Sequence, residues 1–139
     1  MTTWTDLRQR LRAQLSDPNG SLFTDALLAE AARQTLIRLD AAAGGRGWTL
    51  AGLDDAPETT LPVLEQEILL VGASAAAVSL RALSRAERFD LNETAILELT
   101  AWAERQAEKF TAALEAERRR YLHTAPTPPY GPSGWALND

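Results

Sequence analysis

The chain of 139 residues contains no cysteine and a single histidine, His123. Disulfides and thiolate metal centres are thereby excluded, and the common zinc and haem ligand sets cannot be assembled within one chain. The opening stretch "MTTWTDLRQRLRAQL" lacks the apolar core of a leader and is polar and amphipathic, which predicts synthesis and assembly in a cytoplasm. Long apolar runs are missing too. The longest, Ile68 to Leu80 within "EILLVGASAAAVSLRAL", is shorter than the roughly 20 residues of a bilayer span and predicts a buried helix, with no membrane as partner. There is no GxxxxGK[ST] phosphate loop, no Gly-rich nucleotide fingerprint after a strand, and no zinc, kinase or hydrolase motif. The lone His123 precedes a Pro-rich segment, a poor place to hold a nucleophile and its base. Asp54 and Asp55, with Glu58 nearby, lack the alternating ligand spacing of a calcium loop and read as a solvated acidic turn. No catalytic residue, cofactor or metal is expected.

What remains is a chain of one-domain size that can bury a core without covalent staples. Its net charge of −5 argues against a protein whose main task is to grip nucleic-acid phosphates, since that requires a basic face. The positive charge is clustered: Arg8, Arg10 and Arg12 lie near the start, and Arg118, Arg119 and Arg120 near the end. Each cluster is either a solvated helix face or a partner contact. Arg8, Arg12, Arg118, Arg119 and Arg120 are the candidates for the second role.

The periodicity predicts four helices. The first spans about 3–15, with Thr3 as N-cap, Asp6 three positions on, and Trp4, Leu7, Leu11 and Leu15 as an apolar stripe. "DPNG" at 17–20 stops it, because proline disfavours helix in the preceding residue and Asn and Gly accept a left-handed turn. The second helix starts at Thr24, a cap followed by Asp25 at the positive end of the dipole. Phe23 before the cap and Leu28 after it form a hydrophobic staple, which sets the entry angle of the chain. Leu28, Ala31, Ala32, Thr35, Leu36 and Leu39 are its buried face. A third helix covers about 61–84, with Pro62 in its first turn. Its middle, "GASAAA" at 72–77, is small on every side, so it is expected to be the central helix. The fourth runs from about Asn92 to Leu122 behind an Asp90/Glu93 capping box, roughly 45 Å at 1.5 Å per residue. Leu99, Trp102, Ala103, Gln106, Phe110, Ala113, Leu114 and Tyr121 are its stripe, Glu115–Arg119 and Glu117–Arg120 its supporting pairs. Its last turns are expected to leave the globule or to pack on another subunit.

Between the second and third helices, "AAAGGRGWTLAGLDDAPETT" is too rich in glycine for helix, and predicts an irregular connection with a short extended piece or hairpin around 48–53. Connections this long are either mobile or bind something. After His123, "TAPTPPYGPSGWALND" is Pro-rich, with Tyr130, Trp135 and Leu137 as apolar anchors on a stiffened chain, as a docking peptide would have. Free disorder is the other reading of this tail. The expected fold is therefore all-α: a small bundle of four main helices with a long C-terminal helix over 1–123, and an extended Pro-rich tail over 124–139.

The order "SDPNGSLFTDALLAEAARQTLIRL", an irregular middle ending in "ETTLP", "LLVGASAAAVSLRAL" and "ELTAWAERQAEKFTAAL" resembles the head-tail connector, or adaptor, proteins of tailed bacteriophages. The resemblance covers about residues 4–115 and is one of pattern. It implies a structural protein without catalysis, a subunit of a dodecameric ring beneath the portal protein that extends the DNA channel. Its implied partners are the portal, neighbouring copies of itself and a downstream stopper or tail-completion protein. DNA would pass without sequence-specific binding, and the location would be the head-tail interface of the virion, reached from the host cytoplasm. Two other classes stay open: a bacterial helical module that binds or regulates another protein, and a helix-turn-helix DNA-binding protein using Arg8, Arg10 and Arg12. For the latter, Arg33, Gln34 and Arg38 with Glu30 and Asp40 are a weak recognition surface.

Overall fold

The computed structural model describes residues 1–84 and 93–124, and these form four α-helices: α1 (Trp4–Gln14), α2 (Asp25–Ala42), α3 (Val63–Ser84) and α4 (Glu93–Thr124). Among the described residues no strand forms, and the fold is an all-α bundle. Local chemistry sets the helix starts. Thr3 and Asp6 form a reciprocal capping box, in which the Thr3 amide donates to Asp6 at 2.9 Å and the Asp6 amide donates to Thr3 Oγ1 at 3.3 Å. The Leu27 amide donates to Thr24 Oγ1 at 3.1 Å, and the staple residues Phe23 and Leu28 are both buried in the core. Replacing Thr24 by alanine is expected to cost about 1 kcal/mol of stability in urea unfolding, the ordinary value of one N-cap hydroxyl. Asp90, half of the capping box expected for α4, falls outside the described residues, as does the tail beyond Thr124.

The central position of α3 follows from its small residues. Gly72, Ala73, Ser74 and Ala77 are buried, and α3 packs against α1, α2 and α4. By length and composition alone the span Val63–Ala82 is apolar enough to cross a membrane, with mean hydropathy 1.5, but here it is the core helix of the bundle. A Cβ at Gly72 would lie 2.6 Å from Thr35 Cγ2 on α2 and 2.7 Å from the Phe110 ring on α4. Three helices thus meet at the one position that has no side chain. α3 and α4 run antiparallel along a seam in which Glu65 faces Glu117, Gly72 faces Phe110, and Gln106 Nε2 donates to Ser74 Oγ at 3.3 Å.

The connection between α2 and α3, where the sequence predicted a short extended piece or hairpin, doubles back without strand pairing. Thr49 accepts from the Thr60 and Leu61 amides through its carbonyl, and the Thr59 and Thr60 hydroxyls accept from the Ala51 and Thr49 amides. Threonine hydroxyls do the work that a second strand's backbone would do. The loop also belongs to the core: Leu50, Leu53 and Leu61 are buried, and the Trp4 amide at the start of α1 donates to Ala51 O at 2.8 Å.

One face of the last turns of α4 packs on its own chain, while Arg118, Arg119 and residues 122–124 are exposed. Tyr121 lies against Gly44, where a Cβ would come within 2.3 Å of its ring, and Glu117 is buried against the first turn of α3. The reason is length: α3 and the loop before it extend far enough to support one face of α4 as far as Tyr121.

Candidate functional site

The corner between α1 and α2 is held by a buried carboxylate. Asp17, which looks from the sequence like part of a helix-stopping turn, is only 2% exposed. It accepts from the Phe23 amide at 2.8 Å, the Leu22 amide at 3.2 Å, the Ser21 hydroxyl at 3.2 Å and Arg12 at 3.3 Å. Burial alone would raise its pKa. The Phe23 and Leu22 amides, the Ser21 hydroxyl and the Arg12 charge outweigh that and hold it below the usual aspartate value.

Arg12 therefore has an internal role. Its guanidinium also donates to Phe23 O at 2.7 Å and to Asp25, and its side chain is 12% exposed beneath Gly20. Of the other arginines near the start, Arg8 lies 3.7 Å from Asp25, and Arg10 donates to both oxygens of Glu67 at 2.8 Å. The basic cluster of the sequence is thus neutralised by acids from α2 and α3, and of the two site candidates there only Arg8 keeps a partly open side chain. At the other end, Arg118 and Arg119 are exposed with no ion-pair partner among the described residues. Arg120 pairs with Glu117 as the spacing implied, whereas no Glu115–Arg119 pair forms. Tyr130, Trp135 and Leu137 lie outside the described residues.

The face that a DNA-reading α2 would present is likewise occupied. Arg33 makes a bidentate contact to Asp54 in the loop, at 2.7 to 2.9 Å, and also pairs with Glu30. Gln34 donates to Glu30 at 3.2 Å, and Arg38 stacks over the Phe110 ring at 5.0 Å. The acidic turn is thereby explained: Asp54 anchors the loop to α2, its pKa lowered by hydrogen bonds from Arg33. Among the described residues no group of acids and His123 is arranged to hold a metal.

Among the concavities of the described residues, two bear on function. One is a groove of about 330 Å³ between α3 and α4, floored by Gly72, Ala75, Ala76 and Ala103, with Arg38 and Glu104 as its charged residues. Ile37, next to Arg38 on α2, is 64% exposed. The groove offers apolar walls and little polar chemistry, which suits the packing of another apolar side chain or helix and not the binding of a charged substrate. The other is a cleft of about 270 Å³ at the far end, lined by Trp48, Glu65, Glu117, Arg120, Tyr121 and Thr124 among others. Burial and the neighbouring Glu117 carboxyl raise the pKa of Glu65, and Arg120 offsets this only in part.

No protein-family model matches the chain, and the comparisons with curated proteins and with solved structures found no match. Sequence reasoning missed Asp17 and the Glu65–Glu117 pair. A signal for Glu117 was present: it continues the stripe Phe110, Ala113, Leu114, Tyr121 at helical spacing, so a carboxyl is placed where the pattern demands an apolar residue.

Proposed function

We propose that the chain is a structural, non-catalytic adaptor of a tailed-bacteriophage particle, a ring subunit that packs beneath the portal protein at the head-tail interface. The observation that carries the reading is the α3/α4 groove, an apolar surface left over after the core is complete. A ring subunit requires such a second surface for its neighbour. The order of helices, on which the resemblance rests, agrees with this role. So does the acidic balance of −5, because a conduit wall that attracted phosphates would slow the passage of DNA. Exposed Arg118 and Arg119, and the tail anchors Tyr130, Trp135 and Leu137, are assigned to contacts with the portal or a stopper protein. An arm joined to an already docked ring binds as though intramolecularly, so modest contacts suffice. Assembly would take place in the host cytoplasm, with no cofactor and no membrane involved.

Mass measurement with and without portal protein tests the proposal. The expected result is a complex of many copies, a dodecamer by the resemblance, that forms with portal. A monomer or dimer indifferent to portal would assign the chain instead to the helical interaction modules. A strong, salt-dependent shift of DNA at moderate salt would assign it to DNA-binding proteins. Removal of 125–139 is expected to leave the circular dichroism spectrum unchanged and to weaken portal binding; undiminished binding would remove the tail from the interface.

A further inference from the structure

The α3/α4 seam has a regular spacing. Glu65 and Gly72 are seven positions apart on α3, and Phe110 and Glu117 seven positions apart on α4, so the two contacts lie on one face, two turns apart. Because Gly72 admits the Phe110 ring so closely, sliding one helix along the other to part the carboxyls would drive the ring into the α3 side chains on either side of Gly72. The core contact therefore forces two glutamates together at the end of the bundle. Both are buried, Glu65 at 8% and Glu117 at 4% exposure, and their carboxyls are within hydrogen-bonding reach of each other. Two carboxylates have no hydrogen to share, so such a contact requires one proton between them.

The geometry points to a proton-dependent latch: sharing one proton, Glu65 and Glu117 close the last two turns of α4 onto the first turn of α3, and losing it releases them. Among the described residues, the charged and titratable groups facing the pair are few. From α3 it is Glu65 itself, from α4 Glu117, Arg120 and the Tyr121 hydroxyl, and from the loop after α2 Arg46. Arg120 is committed to Glu117, and Arg46 Nε donates to Ala43 O at 3.2 Å. A single paired arginine cannot neutralise two buried carboxylates. The Gly72/Phe110 contact two turns inward stops the opening from spreading, so release is confined to about residues 117–124. Opening these turns carries Tyr121 off Gly44. The latch is independent of what the chain assembles with, and its test needs no partner.

A raised folded-state pKa means that the native protein holds a proton which the unfolded chain has lost. Stability from the pair is full below the ordinary glutamate pKa and falls as pH rises through the raised value. The experiment is amide hydrogen exchange of the full chain between about pH 5 and pH 8, corrected for intrinsic exchange rates. Protection of 117–124 relative to 103–110 is expected to fall about tenfold or more in the wild type over that range. In Glu65→Gln and in Glu117→Gln, where an amide replaces the shared proton, the ratio should be flat. Glu67→Gln, which touches only Arg10, should behave as wild type. A flat ratio in the wild type, or the same fall in Glu65→Gln, overturns the latch. Carboxyl carbon-13 titration of the wild type serves if a variant fails to fold: Glu65 titrating at the ordinary glutamate value would be equally decisive against it.

Discussion

Asp17→Ala is expected to lower the free energy of unfolding by about 3–5 kcal/mol, the cost of stripping one partner from a buried charged network. The substitution removes the acceptor for the Leu22 and Phe23 amides and for the Ser21 hydroxyl, and it leaves the largely buried Arg12 with Asp25 as its remaining acid within hydrogen-bonding distance. The amides belong to the segment that leads into Thr24, so the loss propagates to the angle at which α2 meets α1. Asp17→Asn keeps an acceptor and the shape but not the charge, and should cost less. Urea unfolding decides the matter, and a loss below about 1 kcal/mol for Asp17→Ala would show that the corner is held by the Phe23–Leu28 staple alone. The acid limb supplies a second readout. Because the folded pKa of Asp17 is depressed, its contribution is present above the ordinary aspartate value and is lost as pH falls through the folded one. The alanine variant should lack that part of the acid sensitivity. Acid thus loosens the α1/α2 corner, whereas the proposed latch at the far end opens with base.

Gly72→Val should be comparably damaging, at about 3 kcal/mol or more, although on an exposed helix the same change would be favourable. The first added carbon already falls 2.6 Å from Thr35 Cγ2 and 2.7 Å from Phe110 Cδ1, and the branched side chain adds two more. α2 or α4 must then retreat from α3, and every contact along the seam is loosened. Gly72→Ala separates the two effects: about 1 kcal/mol of helix propensity is gained, and overpacking costs about 1–3 kcal/mol. Pairing it with Phe110→Leu, which vacates part of the space, should recover stability relative to the sum of the single variants. A strictly additive double-mutant cycle would mean that the close approach at Gly72 carries no energy.

The four helices were legible because the signals that define them are local. Thr3 with Asp6, Thr24 with Leu27, and Pro62 at the start of α3 act within one turn, and they operate in the structure as the sequence implies. The stripes Trp4, Leu7, Leu11, Leu15 and Leu28, Ala31, Ala32, Leu39 are buried because a helix has one face to hide, and the period of that face is visible in one dimension. The small run at 72–77 announced a central helix for the same reason: few side-chain atoms mean close neighbours.

Charge pairs distant in sequence were not legible in this way. The arginines near the start looked like an open basic face, and Asp54 like a solvated turn, because an ion pair spans a separation that no local pattern encodes. Arg10 finds Glu67 across 57 positions, and Arg33 finds Asp54 across 21. What the sequence by itself determined is where helices begin, where they stop and which face each one hides, all of them consequences of contacts within a few residues. Only the tertiary structure decided which charges cancel, that Asp17 lies under the corner, and that Glu65 meets Glu117. Those outcomes depend on how α3 and α4 are aligned, and the alignment is set at one place, where a glycine without a side chain meets a phenylalanine ring.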